Sequence, residues 1–550
     1  MAKVPNRGVD PEAVVGVARD RLGLDRLRPG QLEAVMAVLD GRDTLVVMPT
    51  GSGKSAVYQI AGSMLPGPTV IVSPLIALQR DQVTSIGDAD VGEAAAANST
   101  IGVRERRRIF DHLRTGDLEF LFVAPEQLSN PQTRRELRDA KPSLFVVDEA
   151  HCISEWGHDF RPEYLRLSAA IAEMGRPRVL ALTATASPVV RDEIIERLEL
   201  RDPEVFVRGF DRPNLWLEVE TCHNEVDKVH AMLDAVPRLQ FPGIVYVATR
   251  RETREIAELL SARAGLRTAS YHGGMPKSER HAAQTAFMHD HLDVMVATTA
   301  FGMGIDKPDV RFVLHYDVPE SIDAYYQEAG RAGRDGETAL ALLLWRQEDL
   351  GLRKFFANAG HLDPDEIERV VIILRAAQDP VPLPALRAAL DLSETRLGQL
   401  ITRLEDAGAV AVHADGTVQA RPEGPSPFEA ARDALAAHGA RARMDDSRLA
   451  MVRAYTETRG CRRRFILTYF GEPAAEHCNH CDRCVTRTEE PVIDLTDRPF
   501  PEQTRVRHAS WGDGLVLRHE GDSIVVLFDE VGYKTLSLDL VTQRGLLQPA

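Results

Sequence analysis

Short runs of aliphatic and β-branched residues recur through the first two thirds of the chain, each followed by a longer stretch compatible with helix. The first series is TLVVM from Thr44, TVIVS from Thr69, FLFVA from Phe120, SLFVVDEA from Ser143 and RVLALTA from Arg178. Strands alternating with helices in this way predict an α/β fold built on a parallel sheet. A second series follows in GIVYVAT from Gly243, RTASYHG from Arg267, DVMVATTAF from Asp293, VRFVLHYD from Val310 and ALALLLW from Ala339. The pattern changes near Asp211 to Pro213, so two α/β lobes of similar kind are expected, over 1–207 and 208–346.

Beyond the lobes the periodicity changes. Ile367 to Ala376 reads as a helix, Leu383 to Leu390 as another, and Ser393 caps a third running to about Ala407, with Leu397, Leu400, Ile401 and Leu404 at helical spacing. Gly408 stops it. Val410 to Val412 and Thr417 to Gln419 then flank Ala414, Asp415 and Gly416, a hairpin with Asp-Gly at its turn. Three helices and a β-wing over 361–427 describe a winged helix, ended by RPEGPSP from Arg421. Its third helix carries Arg396 and Arg403 but also Glu394, Glu405 and Asp406, so DNA contact and packing on protein both stay open. The last fifty residues hold short strands punctuated by Gly-Asp and Asp-Gly turns, which predicts a small β-barrel over 500–550.

At 550 residues with 44% hydrophobic side chains, the chain has ample material for several cores. No apolar run approaches the length of a membrane span, and MAKVPNRGVD lacks the design of a signal peptide, so a cytoplasmic location is expected. The net charge of -16 argues mildly against nucleic acid and leaves any such binding to local patches. Candidates are Arg104 to Arg108, Arg134 to Arg138 and Arg462 to Arg464, each of which also reads as a solvated helix face. Cys461, Cys478, Cys481 and Cys484 follow C-x16-C-x2-C-x2-C, a thiolate set suited to a structural Zn2+ ion in a reducing compartment, with His480 a bystander.

The chemistry concentrates where strands end. TLVV runs into MPTGSGKS, a glycine-rich turn followed by a helix-compatible run. Thr50, Gly51, Ser52 and Gly53 would close backbone N–H groups around phosphates, Lys54 would reach the β and γ oxygens, and Ser55 would hold Mg2+. The strand from Leu144 ends in Asp148, a second candidate for the magnesium shell, and Glu149, which would orient and polarise an attacking water. In the second lobe YYQEAGRAGRDG, from Tyr325, carries Gln327, Arg331 and Arg334; guanidinium groups from a facing lobe can stabilise a transferring phosphoryl group.

With RPGQ from Arg28, SPLIALQRDQV from Ser73, VAPEQL from Val123, DEAHCISEWGHDFRPEY from Asp148 and TATA from Thr183, the chain resembles the RecQ family of DNA helicases from about Leu22 to Arg346. The resemblance implies ATP hydrolysis between two RecA-like lobes and movement along single-stranded or forked DNA, three-prime to five-prime, in repair or recombination. It implies adenine recognition by Gln31 with Arg28, while Leu24 stands where the family commonly has an aromatic residue. Trp156, His158, Phe160 and Arg161 fall in what resembles the family's aromatic-rich loop, and Thr183 and Thr185 would link the carboxylates to DNA occupancy. The zinc module would span 347–360 and 428–490, and the winged helix precedes the cysteines where the family usually places it after them. The tail resembles the Tudor-like module of UvrD and PcrA helicases, implying a docking site for a partner protein. A DNA translocase without processive unwinding, and an RNA helicase, remain the alternative readings.

Overall fold

The structure, a computed structural model, describes residues 10–549 apart from 75, 90, 99–100, 155–159, 303–304, 306, 358–362, 414–416, 487–498, 503, 521–522 and 530. Two compact units divide the chain: residues 1–347, 451–529 and 535–550 form one, and residues 348–450 with 530–534 the other.

In the first unit, strands β1 (Thr44–Val47), β2 (Thr69–Val72), β3 (Ala94–Ala97), β4 (Phe120–Val123), β5 (Leu144–Val147), β6 (Arg178–Thr183) and β7 (Glu204–Val207) make one sheet. Their order is β3-β4-β2-β5-β6-β1-β7, and every pairing is parallel. The strands β1, β2, β4 and β5 are buried along their whole length, which is why they read as unbroken apolar runs. A second parallel sheet holds β8 (Leu215–Thr221), β9 (Gly243–Tyr246), β10 (Thr268–Tyr271), β11 (Val294–Ala297), β12 (Phe312–His315) and β13 (Ala339–Trp345), ordered β10-β11-β9-β12-β13-β8. These are two RecA-like lobes, and ligands in such sheets gather at the carboxyl ends of the strands. The order β5-β6-β1 sets the ends of three strands side by side, and Met48 N donates to Thr183 O at 3.1 Å across them.

The second unit has helices Pro364–Ala376, Leu383–Leu390 and Glu394–Asp406, with a small antiparallel sheet of β14 (Val381–Pro382), β16 (Thr417–Ala420) and β15 (Val410–Val412) in that order. Ile367, Val370, Leu386, Leu400, Leu404 and Val418 are buried in its own core, joined by Ala430, Ala431 and Ala434 of the 31-residue helix Pro427–Glu457. The Asp-Gly turn expected at 414–416 lies outside the described residues.

Back in the first unit, Cys461 caps helix Arg462–Tyr469, Cys481 caps the short helix Asp482–Val485, Cys484 lies within that helix, and Cys478 lies between the two. The tail is an antiparallel sheet of β17 (Arg505–His508), β18 (Gly512–Glu520), β19 (Ser523–Phe528), β20 (Gly532–Ser537) and β21 (Leu547–Pro549), with β20 and β21 at its edges and a register shift between Val516 and Arg518. Among the described residues no helix is long and apolar enough to cross a membrane.

Candidate nucleotide and nucleic-acid site

The phosphate loop leaves β1 and enters helix Lys54–Met64, whose first turn has N–H groups without intrahelical partners. Gly51 and Gly53 both have φ of 78°, open to glycine at little cost. A Cβ on Gly53 would lie 2.7 Å from Gln31 Nε2, and one on Gly51 would lie 3.2 Å from Arg334 Cδ. Lys54 Nζ donates to the loop carbonyls of Met48 at 2.8 Å and Pro49 at 3.2 Å. Among the described residues, the buried Ser52 Oγ has no hydrogen-bond partner. A cradle lined by glycine, with an orphan hydroxyl and a lysine held at its mouth, fits a triphosphate and its magnesium ion. Thr50 and Ser55 sit half-buried on the same loop and first turn.

Gln31 is buried, and both ends of its amide are engaged. Its Oε1 accepts from Arg28 N at 2.7 Å, and its Nε2 donates to Ser52 O at 3.0 Å and Gly53 O at 2.9 Å. Arg28 also donates through its guanidinium to Gly51 O. The RPGQ motif therefore braces the phosphate loop directly.

Asp148 and Glu149 follow β5, and Glu149 takes the left-handed conformation at φ 48°. Asp148 Oδ2 accepts from Ser73 Oγ at 3.4 Å, and Glu149 N donates to Asp148 Oδ1 at 3.0 Å. Burial pushes the Asp148 carboxyl up to about 7, Glu149 adds to that, and Lys54 opposes it. Burial likewise pulls the Lys54 ammonium below the ordinary lysine range against the pull of Glu149 and Asp148, and Arg334 lowers it further. His151 Nδ1 lies 2.8 Å from Thr183 Oγ1 and 3.4 Å from Glu149 Oε2, and Thr183 Oγ1 donates to Thr185 O at 3.0 Å. A line of close polar contacts thus runs from Glu149 to the TATA turn. Sequence reasoning missed three of its parts: His151, Ser73, and Tyr164, whose hydroxyl donates to Asp148 O at 3.0 Å. The signal for His151 was its place three residues after Asp148.

From the second lobe, Arg334 packs its side chain against Gly51 and donates to Ile305 O at 2.9 Å. Arg331 is buried beside Tyr246, whose hydroxyl donates to Phe301 O at 2.7 Å. Gln327 is the one half-exposed residue of helix Ile322–Ala329. Phe160 and Arg161 are half-buried, with Arg161 reaching Pro74 O at 3.3 Å; Trp156 and His158 lie outside the described residues.

The arginine runs divide. Arg462 is fully buried and bonds Asp482 at 2.6 Å, Arg463 donates to Leu215 O at 2.8 Å, and Arg464 pairs with Glu502 at 2.8 Å. That run is internal architecture, which corrects its reading as a DNA-binding patch. Arg106 bonds Gln127 at 2.8 Å and Arg134 bonds Glu173 at 2.8 Å, while Arg104, Arg107, Arg108 and Arg135 are exposed on helix faces. On the third helix of the second unit, Arg396 pairs with Glu366 at 2.7 Å.

The ligand sulfurs of Cys461, Cys478, Cys481 and Cys484 all lie within 4.8 Å of one another, Cys478 and Cys484 at 3.9 Å. Tetrahedral zinc with Zn–S bonds of about 2.3 Å sets its sulfurs about 3.8 Å apart, so the four thiols fit that ion. His480 gives its backbone N–H to Cys478 Sγ at 3.4 Å, and its ring meets Trp216 edge-on at 5.3 Å.

Sequence profiles match in three segments: DEAD/DEAH box helicase over residues 28–193, helicase conserved C-terminal domain over 227–336, and RecQ zinc-binding over 429–485. The ATP-dependent DNA helicase RecQ of Bacillus subtilis is 34% identical over 486 residues, covering 86% of this chain and 69% of that protein. The chain belongs to the RecQ family of ATP-dependent DNA helicases. The probable ATP-dependent DNA helicase RecS of the same organism is 39% identical over 357 residues, covering 65% of this chain and 72% of its own. Among solved structures, the helicase MrfA bound to DNA and AMPPNP aligns with TM-score 0.52 at 17% identity, covering 78% of this chain and 63% of that one, a likeness of fold. The RecQ zinc-binding segment contains all four cysteines. The matched segments end at residue 485, and nothing supports assigning the tail to the Tudor-like module of UvrD and PcrA, an expectation that is withdrawn.

Proposed function

We propose that this RecQ-family chain unwinds duplex DNA in repair or recombination, moving three-prime to five-prime on single-stranded and forked substrates in the cytoplasm. The observation that supports it best is the meeting of Arg334 with Gly51, beside Lys54 and Asp148. Lys54 would leave the carbonyls of Met48 and Pro49 for the β and γ oxygens, and Arg334 and Arg331 would take up charge on the transferred phosphoryl group from the other lobe. Glu149, held by its left-handed backbone, would orient the attacking water, and Gln327 would face it from helix Ile322–Ala329. A magnesium ion held by Ser55 and Asp148 would neutralise charge on the phosphate oxygens. Gln31 and Arg28 would report the adenine directly to the loop they brace. The line from Glu149 through His151 to Thr183 and Thr185 would carry site occupancy to the strand-binding face, where Trp156, His158, Phe160 and Arg161 would stack and grip bases. The zinc module would be structural. The second unit, read as a winged helix, would contact DNA, and the tail sheet would dock a protein partner.

Lys54→Ala and Arg334→Ala should each lower DNA-stimulated ATP turnover by about a hundredfold or more. Strand displacement on a forked duplex, run beside ATPase stimulation by single-stranded DNA and by RNA, separates the readings. Turnover with DNA but no displacement would leave a translocase, and stronger stimulation by RNA would sink the DNA assignment.

A further inference from the structure

Helix Ile322–Ala329, which leads into Arg331 and Arg334, is buried on every side except at Gln327. A helix so enclosed must find a partner for each polar side chain, because an unmet buried donor or acceptor costs more than an ordinary hydrogen bond returns. Glu328 and Tyr326 find theirs within the lobes and their linker: Glu328 on His315 Nε2 at 2.9 Å, and Tyr326 through its hydroxyl on Phe210 O. The other two are met by the zinc-binding segment. Tyr469 donates its hydroxyl to Asp323, and Tyr455 and Tyr325 share a hydrogen bond at 3.0 Å with their rings 5.0 Å apart. Phe470 closes the same seat, 5.2 Å from the Tyr326 ring and stacked on Phe210 at 4.3 Å.

These groups are fixed to the cysteine cluster by short links. Arg462 donates to Tyr455 O at 2.8 Å and to Asp482 at 2.6 Å, and Asp482 lies between Cys481 and Cys484 while accepting from Val219 N at 3.2 Å on β8. The zinc segment therefore does more than hold itself together. We propose that Tyr455 and Tyr469 are positioning residues for ATP hydrolysis, a seat through which the zinc segment fixes helix Ile322–Ala329 and so aims Arg331 and Arg334 across the cleft. The inference rests on the reading of those arginines given under Proposed function. Geometry at a phosphoryl-transfer centre is unforgiving, and a shift of about 1 Å can cost a hundredfold in rate.

The test uses the full chain with zinc bound. Tyr455→Phe and Tyr469→Phe should each lower kcat for DNA-stimulated ATP hydrolysis by about five- to twentyfold, with KM for ATP changed less than about twofold. Zinc content should match the parent, and the thermal midpoint should fall only so far that each variant stays fully folded at the assay temperature. Placed on the double variant Arg331→Ala with Arg334→Ala, neither substitution should lower kcat further, because a seat cannot aim missing groups. Unchanged kcat in the single variants, a loss that multiplies with the Arg331→Ala and Arg334→Ala pair, or a loss that follows zinc content or the folded fraction at the assay temperature would each overturn the proposal. Should Tyr455→Phe fail to fold, Tyr325→Phe combined with Tyr455→Phe removes both hydroxyls and leaves no buried donor unmet. That pair should lower kcat by the same factor, and an unchanged kcat there would overturn the proposal equally. If Arg334→Ala by itself keeps full turnover, the reading of the cleft fails instead of the seat.

Discussion

Asp148 is held in tension between its burial and its function. Its carboxyl is pushed up to about 7 by burial and by Glu149, against an ordinary aspartate value near 4 in the unfolded chain. A group raised on folding binds its proton more tightly in the native state, so its stabilising effect is complete at low pH and is lost as pH rises from about 4 through about 7. Above that window the folded, metal-free chain carries a charge that its surroundings disfavour. Asp148→Asn should therefore raise the thermal midpoint at pH 8 relative to the parent, with a smaller or reversed difference at pH 5, while abolishing turnover. Thermal melts in a chelating buffer check this, and equal differences at both pH values would contradict it. The same residue shows what a motif conveys: the identities of Lys54, Asp148 and Glu149 were legible in the sequence, but their supports were not. Ser73 and Tyr164 reach Asp148 from segments far apart in the chain, a matter of tertiary packing that no local spacing encodes.

At the level of elements, the central strands were legible because burial leaves only apolar side chains along them. The edges were not. Strand β3 is four alanines, a sequence of high helix propensity that becomes a strand by pairing with β4, and β7 reads EVFV beside β1. Strand β8, LWLEVET, alternates in burial and was lost in the change between lobes. The 31-residue helix was missed because it has no single apolar stripe: Ala430, Ala431 and Ala434 enter the core of the second unit, whereas Val452 and Tyr455 are buried in the first. Arg462 to Arg464 misled for a related reason, since a charged run looks the same in sequence whether water or Asp482, Leu215 and Glu502 receives it. The cysteine cluster bridges to β8 through Cys481 and Leu217. Removing the metal should free this element. Chelation or Cys481→Ser should lower the thermal midpoint by about 5 °C or more, with loss of one zinc equivalent per chain by metal assay.

Across the whole molecule, the second unit has a core of its own, and the motor motifs all lie in the first. Deleting residues 361–425 should therefore leave ATP hydrolysis on single-stranded DNA within about threefold of the parent while reducing displacement on forks and junctions, measured side by side; equal losses in both would tie the second unit to the motor itself. Charge gives the last consequence. A chain of net charge -16 that buries one of its three arginine runs offers a polyanion few counterion-releasing contacts. Its affinity for single-stranded DNA should decline with salt on a shallow slope, about -3 or flatter in log K against log salt, read by fluorescence anisotropy. Such a walker would have a short residence time on its track between nucleotide cycles, so the number of base pairs opened per encounter should be set by how fast it lets go.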